Sequence, residues 1–166
     1  MRYVEKGKTQ QIGDFTVTPF AVPHDSSDCV GYCVQCEGIT FTLVTDCGHV
    51  TEEICTFVAK ANYLVIEANH EVEKLMAGPY PLYLKERITS QIGHLSNAEC
   101  ARTIVENATE NLKHVWLCHL SDENNHPELA RIAVTSLMES YGLRAGVDFI
   151  VEVLRRKIPS EIYDLK

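Results

Sequence analysis

Five polar residues of this 166-residue chain stand at or just past apolar, strand-like runs. His24 closes Ala21-Val22-Pro23-His24, Asp46 follows Phe41 to Thr45, and Glu67 follows Tyr63 to Ile66. His94 ends Ile92-Gly93-His94, and His119 follows Val115 to Cys118. Sheet proteins that bind in the crevice beyond the carboxyl ends of their strands place reactive groups in this way. Imidazole and carboxylate form the ligand set of a hydrolytic zinc or manganese site, and a strand-end aspartate such as Asp46 can bridge two cations. A carboxylate ending a buried strand, as Glu67 does, needs a partner to offset its desolvation. His94 is suited to that role, because the glutamate would orient the imidazole and raise its basicity. His94 also precedes a helix N-terminus, which disfavours a protonated ring and favours a bound anion. Taken singly, His24-Asp25 and Asp46-Cys47-Gly48 are equally readable as surface turns. Recurrence at successive strand ends is what turn chemistry does not explain.

The elements that must position these residues fall into two stretches. Residues 15 to 22 and 30 to 36 alternate as strands, and a turn at Glu37-Gly38 joins the second to Ile39–Val44 in a hairpin. From residue 51 helix and strand patterns alternate. Thr51-Glu52-Glu53 is a capped helix start running to about residue 60. Tyr63 to Ile66 is a short buried strand, residues 70 to 76 and 82 to 89 are helical, and Ser96-Asn97-Ala98-Glu99 has the capping-box spacing of a helix to about residue 107. Val115 to Cys118 is another buried strand, Pro127 opens a helix to about residue 141, and residues 149 to 153 form a last strand. The fold class expected is α/β (α+β): a mixed sheet covered by helices, in one domain spanning residues 1–166.

Composition narrows the function. The length suffices to bury a core, and 45% hydrophobic with 23% charged residues is ordinary for a globular protein. No apolar run reaches the length of a membrane span, and the opening Met1-Arg2-Tyr3-Val4-Glu5-Lys6 lacks a signal-peptide core, so a cytoplasmic, soluble protein is expected. A net charge of −8 argues against a broad basic surface, yet a dinuclear metal site is itself a concentrated positive charge and leaves a nucleic-acid substrate open. The basic groups Arg155-Arg156-Lys157 and Lys85 with Arg87 are short runs, readable as solvated side chains or as local anion contacts. Seven cysteines, an odd count, point to reduced thiols. Cys33 and Cys36 have CxxC spacing on a strand, where residues three apart face opposite sides, so they are not a metal or redox pair. Cys47 and Cys118 adjoin candidate ligands and are expected to pack behind the site. His49, His114 and His126 are read as structural or solvated. No HExxH, phosphate-binding glycine loop or GxSxG elbow occurs.

The runs Val22-Pro23-His24-Asp25, Thr45-Asp46-Cys47-Gly48-His49, Ile66-Glu67-Ala68-Asn69-His70, Ile92-Gly93-His94-Leu95-Ser96-Asn97 and Leu117-Cys118-His119-Leu120-Ser121 together resemble the metallo-β-lactamase superfamily. Within it they are most similar to the YycJ/WalJ-like group and more distantly to ribonuclease Z. The resemblance implies an αββα sandwich. It also implies that His24 ligates a first metal, Asp46 bridges two, and His119 ligates the second. Glu67 and His94 would form a catalytic pair in which the histidine contacts the scissile phosphate or protonates the leaving group. Asn69, His70 and Ser96 would be supporting residues. The implied cofactor is two divalent ions, zinc or manganese, and the implied reaction is phosphodiester hydrolysis of nucleic acid, exonuclease-like. The family's HxHxDH cluster is absent: no two histidines of the chain are separated by one residue. The chain therefore resembles the C-terminal half of the fold. It is expected by itself to bind metal weakly and to be inactive, and to leave one sheet face free for a homodimer contact. The alternative expectation is a non-catalytic binding or scaffolding module with a vestigial metal site.

Overall fold

The computed structural model describes residues 4–166. One seven-stranded sheet runs in sequence order: β1 (Gln10–Ile12), β2 (Phe15–Ala21), β3 (Val30–Cys36), β4 (Ile39–Val44), β5 (Tyr63–Glu67), β6 (His114–Cys118) and β7 (Ile150–Val153). Strands β1 to β4 pair antiparallel, and β4 to β7 pair parallel. The β3–β4 turn is a two-residue one, with Glu37 and Gly38 both at positive φ (50° and 81°), the geometry whose twist matches the flanking strands. Among the described residues five helices, α1 (Glu52–Lys60), α2 (Val72–Ala77), α3 (Leu82–Ile88), α4 (Asn97–Asn107) and α5 (Pro127–Ser140), form the connections between the parallel strands.

Strand direction explains why the candidate residues share a rim. Two antiparallel steps, β2 to β3 and β3 to β4, restore the original direction, so β2 runs the same way as β4, β5 and β6. Their carboxyl ends all emerge at one edge. Register sharpens this: Val44, Ile66 and Leu117 are lateral neighbours, and Glu67 stands beside Cys118.

Those three neighbours face α1, α4 and α5 and are fully buried, with Phe20, Ile54, Leu64, Ile104 and Met138. Burying each such side chain contributes about 1.5–3 kcal/mol. The capping box at Ser96 and Glu99 forms in full, fixing the start of α4. On the opposite face, Leu43, Val65 and Trp116 are neighbours in register. Residues after β7 cross this face: the Tyr163 ring meets Trp116 edge-on at 4.8 Å, and the Tyr63 hydroxyl donates to the Lys166 carbonyl at 2.8 Å. This strap gives part of that face a cover the sequence reading did not anticipate.

Two local expectations need correction. β1 is extra; its Gln-Gln-Ile sequence carries little alternation, and pairing with β2 is what makes it a strand. His70 was expected to open a helix, but α2 begins at Val72. His70 is instead bridged to Ser96, and its carbonyl accepts from the Asn97 N–H at 2.8 Å, so tertiary pairing holds it out of the helix. No helix among the described residues is long and apolar enough to cross a membrane.

Candidate active site

Three imidazoles line up along the rim. The His24 and His94 ring centres lie 4.8 Å apart, and those of His94 and His119 lie 5.2 Å apart. Each ring has one nitrogen committed. His24 Nδ1 donates to the Gly93 carbonyl at 2.9 Å, since a carbonyl can only accept. His94 Nδ1 and His119 Nδ1 both donate to Glu67 Oε1, at 2.6 and 2.8 Å. All three Nε2 atoms are thereby left as lone-pair donors, the tautomer a metal needs.

Asp46 sits in front of this row. Its Oδ1 is 3.7 Å from His24 Nε2 and 3.8 Å from His119 Nε2. Zinc holds such donors at about 2.0–2.2 Å, so two ligands of one ion stand at most about 4.2 Å apart. Both separations fall inside that limit, and the donor chemistry matches. The ligand atoms of His24, Asp46 and His94 all lie within 4.8 Å of one another. Glu67, His94 and His119 meet the same criterion. Here, however, the carboxylate of Glu67 is fully buried and joined to both rings by hydrogen bonds, which suits it to orient the rings rather than to hold an ion itself.

Backbone geometry aims the two outermost groups. Asp46 (φ 54°) and His119 (φ 57°) both occupy the left-handed region, uncommon for residues with a Cβ. At Asp46 the turn directs the Cys47 N–H onto Glu67 Oε2 at 2.7 Å. At His119 the carbonyl is caught by the Asn69 side-chain amide at 2.9 Å. Burial alone would raise the Glu67 pKa. The hydrogen bonds from His119, His94 and the Cys47 N–H reverse this and hold it below the ordinary carboxylate value. In return the Glu67 hydrogen bond, opposed by burial, raises His119 above an ordinary histidine.

The supporting residues separate into distinct roles. Asn69 touches His119 directly. Ser96 has its hydroxyl on Glu99 at 2.7 Å and serves α4 rather than the rim. His70 is buried behind the rim, its pKa lowered by that burial, and its Nδ1 has no hydrogen-bond partner among the described residues. Cys47 is fully buried beside Glu67. Burial and then the Glu67 charge push the Cys47 and Cys118 thiols up to about 12, so both stay protonated. Cys118 differs from expectation in also lining the cleft in front of His119. His49 donates to the Gln91 carbonyl at 2.7 Å, and His126 caps α5, as structural residues. All seven cysteines are free.

Several groups escaped sequence reasoning. Buried Asn97 and Asn125 exchange side-chain amide bonds at 2.9 and 2.8 Å, and Asn125 also donates to the Ala68 carbonyl at 2.8 Å, tying the start of α4 to the loop after β6. Gly93 supplies the carbonyl that orients His24. A Cβ there would stand 2.2 Å from the Ile88 oxygen. The Asp25 carboxylate is gripped by both Nε and Nη2 of Arg87, fastening α3 beside His24. Lys85 spends its charge on the Met76 and Gly78 carbonyls that end α2.

Residues 1–119 match the family model described as a β-lactamase superfamily domain. The chain belongs to the metallo-β-lactamase superfamily. Curated relatives include exodeoxyribonuclease YycJ of Bacillus anthracis, 35% identical over 156 residues, which cover 94% of this chain and 59% of that protein. Exodeoxyribonuclease WalJ of Streptococcus pneumoniae serotype 2 is 39% identical over 147 residues, covering 89% of this chain and 55% of that protein. The chain thus spans little more than half the length of these relatives. Among solved structures, the metallo-β-lactamase fold protein YhfI from Bacillus subtilis superposes with a TM-score of 0.65 at 16% identity, over 91% of this chain and 51% of that one. Zn²⁺-bound PqqB from Methylobacterium extorquens does so at 0.58 and 18%, over 90% of this chain and 49% of that one. These structural likenesses show the superfamily's fold.

Proposed function

We propose that this chain carries the strand-end half of a metal-dependent phosphodiesterase site acting on nucleic acid, with DNA favoured by the names of its exodeoxyribonuclease relatives. The observation that carries this reading is the row of three imidazoles with Nδ1 committed and Nε2 free, two of them within ligand distance of Asp46 Oδ1. In it, His24, Asp46 and His119 would hold divalent metal, zinc or manganese, and Glu67 fixes the rings. Such ions supply Lewis acidity to a phosphoryl oxygen and acidify water. His94, hydrogen-bonded to Glu67 through Nδ1, presents Nε2 to the phosphate or to the leaving oxygen; to protonate the latter it acts as an imidazolium, giving up a second proton from Nε2 while Nδ1–H stays on Glu67. Asn69 keeps the His119 backbone in place during this work.

Three protein ligands without the HxHxDH cluster favour weak metal binding by the chain alone, because affinity falls with ligand count. The same feature supports the second reading, a module that retains metal without turnover. Calorimetric titration of chelator-treated protein with Zn²⁺ and with Mn²⁺ tests the site. Binding that disappears in His24→Ala, Asp46→Ala and His119→Ala supports it, and binding indifferent to all three refutes it. Release of p-nitrophenol from bis(p-nitrophenyl) phosphate, or of nucleotides from labelled DNA, separates enzyme from module.

A further inference from the structure

Beyond the metal rim lies a cleft of about 730 Å³, within the size range of small-molecule sites. His94, His119, Cys118 and Asn69 form one end. The α3 side contributes Tyr80, Leu84 and Arg87, and the segment after β7 contributes Arg155 and Arg156. In a chain of net charge −8 this cleft is informative, because its lining sets three guanidinium groups against two carboxylates, Asp122 and Glu123, and so is cationic by one charge. Two of them are held in position. Arg87 is gripped by Asp25, next to His24, and Arg156 lies 3.1 Å from Asp122. Both guanidinium groups remain about half exposed, with N–H donors left for an incoming anion. Arg155 is also exposed at the cleft.

We infer that this cleft docks the end of a single polynucleotide strand, with Arg155 and Arg156 taking phosphates beyond the scissile one, Arg87 taking one on the opposite bank, and Tyr80 offering its ring to a base. A positively charged groove interleaved with an aromatic ring is the arrangement that tracks a strand without reading its sequence. Planar guanidinium forks match phosphate oxygens better than point charges do, and holding the forks in place beforehand lowers the ordering cost of binding. This inference rests on the phosphodiester reading of the site, and it assigns the residues that would recognise the substrate.

The test is fluorescence anisotropy of labelled oligothymidylate binding to the full chain over a range of salt concentrations, with and without Mn²⁺. Each phosphate contact removed lowers the slope of log affinity against log salt by about 0.7 for a single strand. The double variant Arg155→Ala/Arg156→Ala should therefore lose about 1.4 of slope, and unlabelled single strand should compete better than duplex of the same length. Arg131→Ala is the control for loss of an exposed arginine elsewhere: its side chain pairs with Glu128 on α5, outside the cleft lining, and the slope should hold. Equal slopes in the double variant and wild type, or equal losses in double variant and control, would overturn the inference, as would tighter binding of duplex. Should the double variant unfold, Arg156→Glu and Arg155→Glu singly, checked by circular dichroism, replace it, each expected to lose about 0.7 of slope. Metal titration distinguishes the two readings. A chain that binds metal at Asp46 but no strand defeats only the docking assignment, whereas strand binding through Arg155 and Arg156 without metal defeats only the hydrolase.

Discussion

Glu67→Gln is the sharpest perturbation of this site, since it preserves shape while removing the charge and one of the two acceptor oxygens. The carboxylate takes three hydrogen bonds, two at Oε1 from His94 and His119 and one at Oε2 from the Cys47 N–H. An amide has one acceptor oxygen. If that oxygen faces the imidazoles, the NH₂ confronts the buried Cys47 N–H, and the orphaned donor costs about 1–3 kcal/mol. If it faces Cys47, the NH₂ donates to both Nδ1 atoms and moves the ring protons to Nε2, which at His119 is the atom 3.8 Å from Asp46 Oδ1. Either outcome damages the site. Loss of such an orienting group typically weakens metal binding about 10–100-fold, equivalent to about 1.4–2.7 kcal/mol. Zn²⁺ affinity measured by chelator competition reads the first quantity. Long-range ¹H–¹⁵N spectra of the metal-free protein read the tautomers, and urea unfolding reads the stability. A variant with wild-type affinity, wild-type imidazole resonances and wild-type stability would refute the account of Glu67 as the group that sets the ligands.

Three further outcomes are expected. Gly93→Ala places a methyl 2.2 Å from the Ile88 oxygen and 2.3 Å from the Arg87 oxygen, both backbone atoms; it should cost about 1–3 kcal/mol or more in urea unfolding and also weaken metal binding by displacing the His24 acceptor, and an unchanged midpoint would contradict it. Asn125→Ala orphans the buried Asn97 Oδ1 and the Ala68 carbonyl and should cost about 1–3 kcal/mol; a loss below experimental error would show that the pair is not structural. His114 is buried against Trp116 and Tyr163, with Glu152 at 3.2 Å, and burial holds its pKa below 6.5. The unfolded chain then takes up the proton first, so the contribution of neutral His114 is complete above pH 6.5 and is lost as pH falls from there through the lowered value. His70 acts in the same direction. The thermal midpoint of wild type should therefore fall more over that interval than the midpoint of His114→Phe, and identical pH profiles would exclude the mechanism.

How much of this was legible in the sequence varies by residue. Strand ends at Val44, Glu67 and Cys118, the Thr51 cap and the Ser96–Glu99 capping box depend on neighbours within a few positions, and apolar periodicity with cap chemistry specifies them. That locality is why five chemically apt residues could be picked out before any fold was known. The lone basic runs were ambiguous for the converse reason. Lys85 caps carbonyls nine and seven residues back, while Arg87 reaches Asp25 across 62 positions, and no local pattern separates the two.

Residue types, strand limits and helix starts are properties of short stretches, and the amino-acid order alone determined them. Only the tertiary structure decided that β2, reversed twice through β3 and β4, delivers His24 to the rim that Asp46 and His119 occupy, that both of those residues adopt left-handed backbone, and that one carboxylate serves two imidazoles. These features join residues 22 to 95 positions apart, and their free energy comes from register, burial and shared hydrogen bonds that do not exist until the sheet has formed.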